Sequence, residues 1–313
     1  MALYRAAEAL GIEVEVVAAY DSWARAVATY NANLPHAIAQ VVDVKTLAQD
    51  DLPPHDLVIG GPPCQPFSDA GKRTGHDDPR NCIPDFLRLA DCMPFVMENV
   101  KPRLLDPYRP GYWSEKLNAS EFGDVTSRKR WFYSSHLLHV VRTPGSRRFR
   151  EIRDHAEDNR IVAMRSYPQA LTPIDEDGFP GSLTSHSHDQ PLRSGQSHPT
   201  QDEDVMGTLT SGKGGMSGFM KVALRSHGSN YQTLHDDAFM GSSTSDSTHN
   251  LPTIPGVRCV SLLEMQRAHS FPEDFDWGNA TKTDRGKMIA NSIPIGMGTA
   301  VLRAMLTALG GRR

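Results

Sequence analysis

Cys64 lies in the run Gly60-Gly61-Pro62-Pro63-Cys64-Gln65-Pro66-Phe67-Ser68. Two glycines and two prolines ahead of a cysteine force a sharp, rigid exit from a strand and fix the thiol on a defined loop. A thiol held this way attacks an electrophile if its thiolate is stabilised. The same residues also suit a structural cysteine buried in a turn. Glu98 follows the apolar run Phe95-Val96-Met97 and precedes Asn99-Val100. A carboxylate directly after an apolar strand is partly desolvated, so its pKa tends upward and it becomes a proton donor. The alternative is a strand-end acid facing water.

Both candidates need strands that end where they begin, and the first part of the chain alternates strand and helix signals. Leu3–Leu10 reads as a short helix stopped by Gly11, and residues 22–32 read as a second, capped by Asp21 or Ser22. Strands are expected at Val14–Ala18, Ile38–Val42, Leu57–Ile59 and Phe95–Met97. The alternation argues for βαβ units in an α/β fold with a mainly parallel sheet, whose function collects at the carboxyl ends of the strands. From about Pro144 the pattern changes, and residues 181–255 are rich in Gly, Ser, Thr, His and Asp. Order returns with a helical segment at Val260–Ala268 and another at Thr299–Leu309, where Val301, Met305, Ala308 and Leu309 share a face.

Composition narrows the function classes. The 313 residues carry 37 acidic and 33 basic side chains, a formal charge of −4 that excludes a polybasic protein but not a local basic face. No apolar run is expected to cross a membrane, and the N-terminus does not read as a signal peptide. Cys64, Cys82, Cys92 and Cys259 form no C-x-x-C pair, so neither a disulfide scaffold nor a cysteine zinc site is indicated. A soluble, cytoplasmic protein of a reducing compartment is expected.

Further blocks extend the two chemical motifs. Gly71-Lys72 and Gly75-His76-Asp77-Asp78-Pro79-Arg80-Asn81 follow Cys64; Asn118-Ala119, Phe122-Gly123 and Arg128-Lys129-Arg130 follow Glu98. Then come Arg258 to Glu264 with Arg267 and Phe271-Pro272, and finally Lys287-Met288-Ile289-Ala290-Asn291-Ser292-Ile293-Pro294. In this order the blocks resemble the motifs of the cytosine-C5 DNA methyltransferases. The resemblance implies a Rossmann-like S-adenosylmethionine-dependent methyltransferase sheet with a small loop-rich target-recognition domain, in three parts: 1–143 catalytic, 144–256 recognition and 257–313 catalytic closing part. It implies that Cys64 attacks C6 of a flipped cytosine, that Glu98 protonates or hydrogen-bonds N3, and that Arg130 and Arg128 contact the base carbonyl or nearby phosphates. The other three cysteines become packing residues. The cofactor is S-adenosyl-L-methionine, with Asp21, Asp43, Pro62 and Asn291 matching its binding positions. Double-stranded DNA is the implied partner, with a restriction endonuclease as companion, no metal and a monomeric state.

The departures concentrate in the cofactor half. The family's opening strand and glycine-rich loop, D-L-F-x-G-x-G-G, has no counterpart, which points to Met1 as an internal methionine of a longer reading frame, with a true truncation or a strand supplied by another chain, as in a split enzyme, as the alternatives. The absent strand is expected to leave two inner sheet edges unpaired and apolar surface open. Ala19 stands where a ribose-binding glutamate is usual, Ala290 replaces a glycine, Thr126 a glutamine, and Asp124-Val125 a Val-Pro pair. A DNA-binding remnant without catalysis is therefore an alternative reading. A tRNA cytosine methyltransferase is a weaker one, because no Cys-Phe-Thr tripeptide occurs.

Between Arg128 and Arg160 nine basic residues face four acidic ones, a strip suited to phosphate contact. Gly207–Gly214 nearly matches a phosphate-binding loop but lacks the Ser/Thr after Lys213, so it reads as a recognition loop. His186, His188 and His198 lack the spacing of metal ligands and read as loop histidines.

Overall fold

The computed structural model describes residues 1–34, 36–67, 75–145, 147–154, 161–165, 171–173, 225–227, 230–232 and 257–310, with side chains at all of these except 161–165, 171–173, 225–227, 230–232 and 257–259. The Gly207–Gly214 loop, the three loop histidines and nearly all of the expected recognition domain lie outside the described residues.

A four-stranded sheet has the order β3-β4-β6-β5, built from β3 (Val58–Gly60), β4 (Phe95–Asn99), β5 (Trp113–Asn118) and β6 (Lys129–Ser134). β3 and β4 are parallel, while β6 runs antiparallel to both β4 and β5, so the sheet is mixed rather than mainly parallel. The sequence missed this pair because β5, the edge strand, and the start of β6 carry polar and charged residues that dilute any apolar run.

β4 is buried on both faces, as its continuous apolar run requires. Val96 and Phe132 point into one cluster with Ala6, Met297, Val301 and Met305; Phe95, Met97 and Tyr133 point into another with Ile83, Phe86 and Leu105. Helices α1 (Ala2–Glu8) and α7 (Ile295–Gly310) therefore cover one face, and α3 (Ile83–Ala90) the other. A third cluster joins α4 (Phe149–Ile152), α5 (Leu262–Ala268) and α6 (Lys282–Asn291) through Phe149, Ile152, Met265, Trp277 and Ile289. Residues 282–310 have the length of a membrane span and contain an 18-residue window of mean hydropathy 1.4. They are broken at 292–294, however, and the apolar face of α7 packs into the first cluster.

A second, two-stranded parallel sheet pairs β1 (Ala19–Asp21) with β2 (Ala39–Val41). The expected strand at Val14–Ala18 has no ladder partner among the described residues, and pairing starts only at Ala19. No described strand joins β1–β2 to β3. β3 is thus an edge with Ile59 43% exposed, and Val41 on β2 is 54% exposed, matching the expected open edges. The α2 helix (Ala24–Ala32) begins after Trp23, with no side-chain cap; Asp21 instead accepts the Trp23 N–H at 2.7 Å. Its far end is tied across the molecule by Asn33, which exchanges two hydrogen bonds with the Asp276 backbone (2.7 and 2.9 Å).

Asp124 holds the start of α7. Its two carboxylate oxygens accept the Gly296 and Met297 N–H groups at 3.0 and 2.8 Å, satisfying donors that a helix end leaves open. The residue is fully buried, and burial outweighs these bonds and that of Ser270, pushing its pKa up to about 6. A carboxyl raised in the folded state binds more protons there than in the unfolded chain. Its favourable contribution is complete below about pH 4 and is lost as pH rises through about 6, a change of about 2–3 kcal/mol. Denaturant unfolding from pH 4 to 8 is expected to show this slope in the native chain and not in Asp124→Asn; parallel curves contradict it.

Gly296 has no room for a side chain. A Cβ there presses into the Phe122 carbonyl oxygen and lies 2.9 Å from both Asp124 carboxylate oxygens. Gly296→Ala is expected to cost about 2–3 kcal/mol in urea unfolding, because the obstacle is backbone rather than a flexible side chain. A variant as stable as the parent contradicts the seating described.

Candidate active site

The loop that carries Cys64 leaves β3 at Gly60. A Cβ on Gly60 would lie 2.6 Å from the Phe86 ring, so the close strand–helix approach requires glycine. The loop is clamped from the next strand: Asn99, buried at the end of β4, donates from Nδ2 to the Pro62 carbonyl at 3.1 Å. Beyond Phe67 the return segment is pinned by a small polar cluster. His76 Nδ1 pairs with the Tyr108 hydroxyl at 2.9 Å, and Asn81 Nδ2 donates to that hydroxyl at 3.1 Å and to the His76 carbonyl at 3.0 Å. Asp78, buried, takes the Arg80 guanidinium at 2.7 and 2.9 Å.

Glu98 and Arg130 sit on neighbouring antiparallel strands, and Arg130 Nε donates to Glu98 Oε1 at 2.8 Å with their side chains 14% and 15% exposed. Glu98 Oε2 faces Gly61, 3.6 Å from where a Cβ there would lie. Carboxylate, thiol loop and guanidinium therefore converge. Burial pushes the Glu98 carboxyl up, against the pull of Arg130 and then Arg128. Burial, then the charge of Glu98, also pushes the Cys64 thiol up, while Arg130, its own backbone N–H and Arg128 act the other way. Such an arrangement can hold one proton between a thiol and an acid, with two fixed positive charges alongside.

Arg128 is placed differently from the expectation. It is only 4% exposed and donates from Nη2 to the Ala290 carbonyl at 2.6 Å, tying the start of β6 to the end of α6. Burial pushes it down to about 9. That depth leaves it no surface for a phosphate, so Arg130 is the arginine brought to the carboxylate. Of the rest of the basic strip, Lys129, Arg147 and Arg150 are exposed, and Arg142 is paired with Glu115 and Glu121. Residues 155–160 are outside the description.

Three residues near the site had no role assigned to them from the sequence. Asn99 lies within the Glu98 run, but its clamp on Pro62 is a tertiary contact. His269 is fully buried; burial, then Arg128 and Arg130, holds its imidazolium form far below the ordinary range. Ser292 lies in the closing block and meets His269 at 3.2 Å. Among the other cysteines, Cys92 is exposed and Cys82 half-buried, so neither is a core packing residue.

The expected cofactor residues divide. Asp21 ends β1 and Asp43 follows β2, both exposed, and the Gly60–Pro62 turn ends β3. All three lie at the carboxyl ends of parallel strands, the end at which such sheets take nucleotides. Asp43 Oδ1 accepts the Lys45 N–H at 3.1 Å. Two exposed carboxylates there suit the amine and hydroxyl donors of an adenosine. Pro62 is buried with its carbonyl engaged by Asn99, and Asn291 is exposed at the end of α6.

Residues 3–307 match the family described as C-5 cytosine-specific DNA methylase. The Type II methyltransferase M1.HphI of Haemophilus parahaemolyticus is 28% identical over 309 residues, covering 89% of this chain and 77% of its own. The Type II methyltransferase M.NgoPII of Neisseria gonorrhoeae is 24% identical, covering 96% and 91%. Among solved structures, the S. pombe Dnmt2 methyltransferase superposes with a TM-score of 0.58 at 18% identity, covering 98% of this chain and 96% of its own. A DNA modification methyltransferase encoded within an E. coli prophage gives 0.53 at 18% identity, over 99% and 96%. These likenesses share one fold.

Proposed function

The chain belongs to the C-5 cytosine-specific DNA methylases, and from that premise we propose that it methylates cytosine in duplex DNA through a covalent adduct on Cys64. The observation that carries this reading is the convergence of the Cys64 loop, Glu98 and Arg130 at the ends of β3, β4 and β6. Cytosine C5 is a poor nucleophile until C6 is attacked. The Cys64 thiolate forms a bond to C6, Glu98 delivers a proton to N3, and the C5–C6 pair becomes enamine-like. S-Adenosylmethionine, when bound, supplies an electrophilic methyl group to C5. Loss of the C5 proton to a base, departure of the Cys64 thiolate from C6 and return of the N3 proton to the Glu98 carboxylate restore the aromatic ring and both side chains. Arg130, released from Glu98 as that group takes its proton, presents donors to the base carbonyl.

A stacked cytosine cannot reach a thiol this deep, so the target base leaves the duplex. Residues 144–256 are the proposed recognition domain, with residues 1–143 and 257–313 as the catalytic parts. Asp21, Asp43 and the Gly60–Pro62 turn are the proposed adenosine contacts, and Asn291 lies at the closing side. A restriction endonuclease as companion follows from the Type II names of the relatives. A monomeric state and a cytoplasmic location complete the proposal.

Whole-genome bisulfite sequencing of cells expressing the chain tests the reading. New 5-methylcytosine within one short sequence context is expected. Unmodified cytosines together with retained DNA binding would establish the non-catalytic remnant instead.

A further inference from the structure

His269 has a hydrogen-bonding state that its neighbours determine. Ser292 Oγ donates its single hydrogen to the Ile289 carbonyl at 2.7 Å. It can then only accept from His269 Nδ1, at 3.2 Å. The imidazole is therefore the Nδ1–H tautomer, and Nε2 is a bare acceptor. Nε2 is buried, and among the described residues it has no hydrogen-bond partner. A bare buried acceptor is costly unless a donor is reserved for it. The backbone that carries the ring is fixed: its N–H donates to the Met265 carbonyl at 3.2 Å, and its carbonyl accepts from Ile295 N–H at 3.0 Å. The strongest positive groups acting on it are the Arg128 and Arg130 guanidinia.

We propose that His269 is a positioning residue for the reaction, its neutral Nε2 lone pair accepting an N–H of the arginine pair when Glu98 takes up a proton and releases Arg130. The inference rests on the methyltransferase reading above. In the resting site Glu98 is the acceptor for Arg130. Once Glu98 carries the proton destined for N3, two guanidinia remain side by side in a buried space. A neutral acceptor steadies them without cancelling the positive charge that favours the Cys64 thiolate. A carboxylate at this place would cancel that charge, and an imidazolium would repel the pair.

The test reads a step before methyl transfer. Genomic DNA labelled with tritium at cytosine C5 contains every sequence context, and attack of Cys64 at C6 lets the C5 label exchange into water. His269→Phe keeps the ring and removes the acceptor. It is expected to bind DNA within about twofold of the parent and to release tritium about tenfold more slowly, the effect of one hydrogen bond to a charged group. His269→Gln, which restores an acceptor, is expected to recover most of the rate. Ser292→Ala frees the ring to adopt the Nε2–H tautomer at almost unchanged volume, so it should slow release comparably even if His269→Phe fails to fold. Nitrogen NMR of the imidazole should report Nδ1–H in the parent and a tautomer change in Ser292→Ala. Unchanged release in Ser292→Ala despite a changed tautomer, unchanged release in a folded His269→Phe, or Nε2–H in the parent overturns the proposal. Absence of release from the parent itself, with or without S-adenosylmethionine, overturns the methyltransferase reading and the inference with it.

Discussion

Cys64→Ser is expected to abolish tritium release and methylation, with a rate loss on the order of 10^4-fold or more, the scale on which a lone nucleophile matters. The thiol is half-buried in a loop clamped by Asn99 and closed by the His76–Tyr108–Asn81 cluster, so the smaller hydroxyl fits without disturbing its surroundings. What changes is ionisation. A thiol can be drawn to its anion by the Arg130 and Arg128 charges despite the burial that pushes it up, whereas a serine hydroxyl has no general base placed against it among the described residues. The decisive comparison is DNA affinity against rate. Binding should persist while exchange of the C5 label disappears. Persistent exchange in a folded Cys64→Ser removes Cys64 from the nucleophile's role.

Glu98→Gln is expected to lower the exchange rate by about 10^2–10^4-fold, the range for a positioned proton donor. An amide can donate a hydrogen bond to N3 but cannot transfer the proton, and it no longer pairs ionically with Arg130. The pH profile makes this specific. In the native chain the reactive form of the Cys64–Glu98 pair holds one proton, with the thiol ionised and the acid protonated. At low pH both groups are protonated and the rate falls; at high pH neither is, and the rate falls again. Burial raises both groups, so the acid limb should lie above the ordinary carboxylate range and the alkaline limb above the ordinary thiol value, the two belonging to the pair rather than to either residue. In Glu98→Gln only the thiol has to ionise, so the rate should rise with pH and then level off. An alkaline decline that survives the substitution argues against Glu98 as the donor.

The strand ends that carry the site were legible because each motif is local. Gly60 to Ser68 encodes a strand exit and Phe95 to Val100 a buried strand end, and the structure has β3 and β4 there as adjacent parallel strands. Helix boundaries were legible where capping is local too: Ser261 and Glu264 form a reciprocal cap at the start of α5, and Val260–Ala268 was the expected segment. Reading failed where pairing decides. Val14–Ala18 has strand-forming residues but no neighbour to bond with, so the ladder exists only where β2 reaches it, at Ala19–Asp21. Thr299–Leu309 starts four residues too late because the first turn of α7 is stabilised by Asp124, far away in the chain.

By itself the sequence determined the chemical cast: a rigid cysteine loop, an acid after an apolar strand, a pair of arginines, and their order along an α/β chain. Tertiary structure alone decided their division of labour. Arg128 lies just before β6 and Arg130 on it, only two residues apart, so what separates them is the distant partner each one meets. Arg130 meets Glu98 across the sheet, while Arg128 is buried against Ala290, 162 residues away. The orientation of His269 likewise depends on Ser292, 23 residues on, and its electrostatics on arginines from the other half of the chain. Residue types and short spacings are properties of the covalent chain. Burial, hydrogen-bond partners and ionisation arise only when distant segments exclude water together.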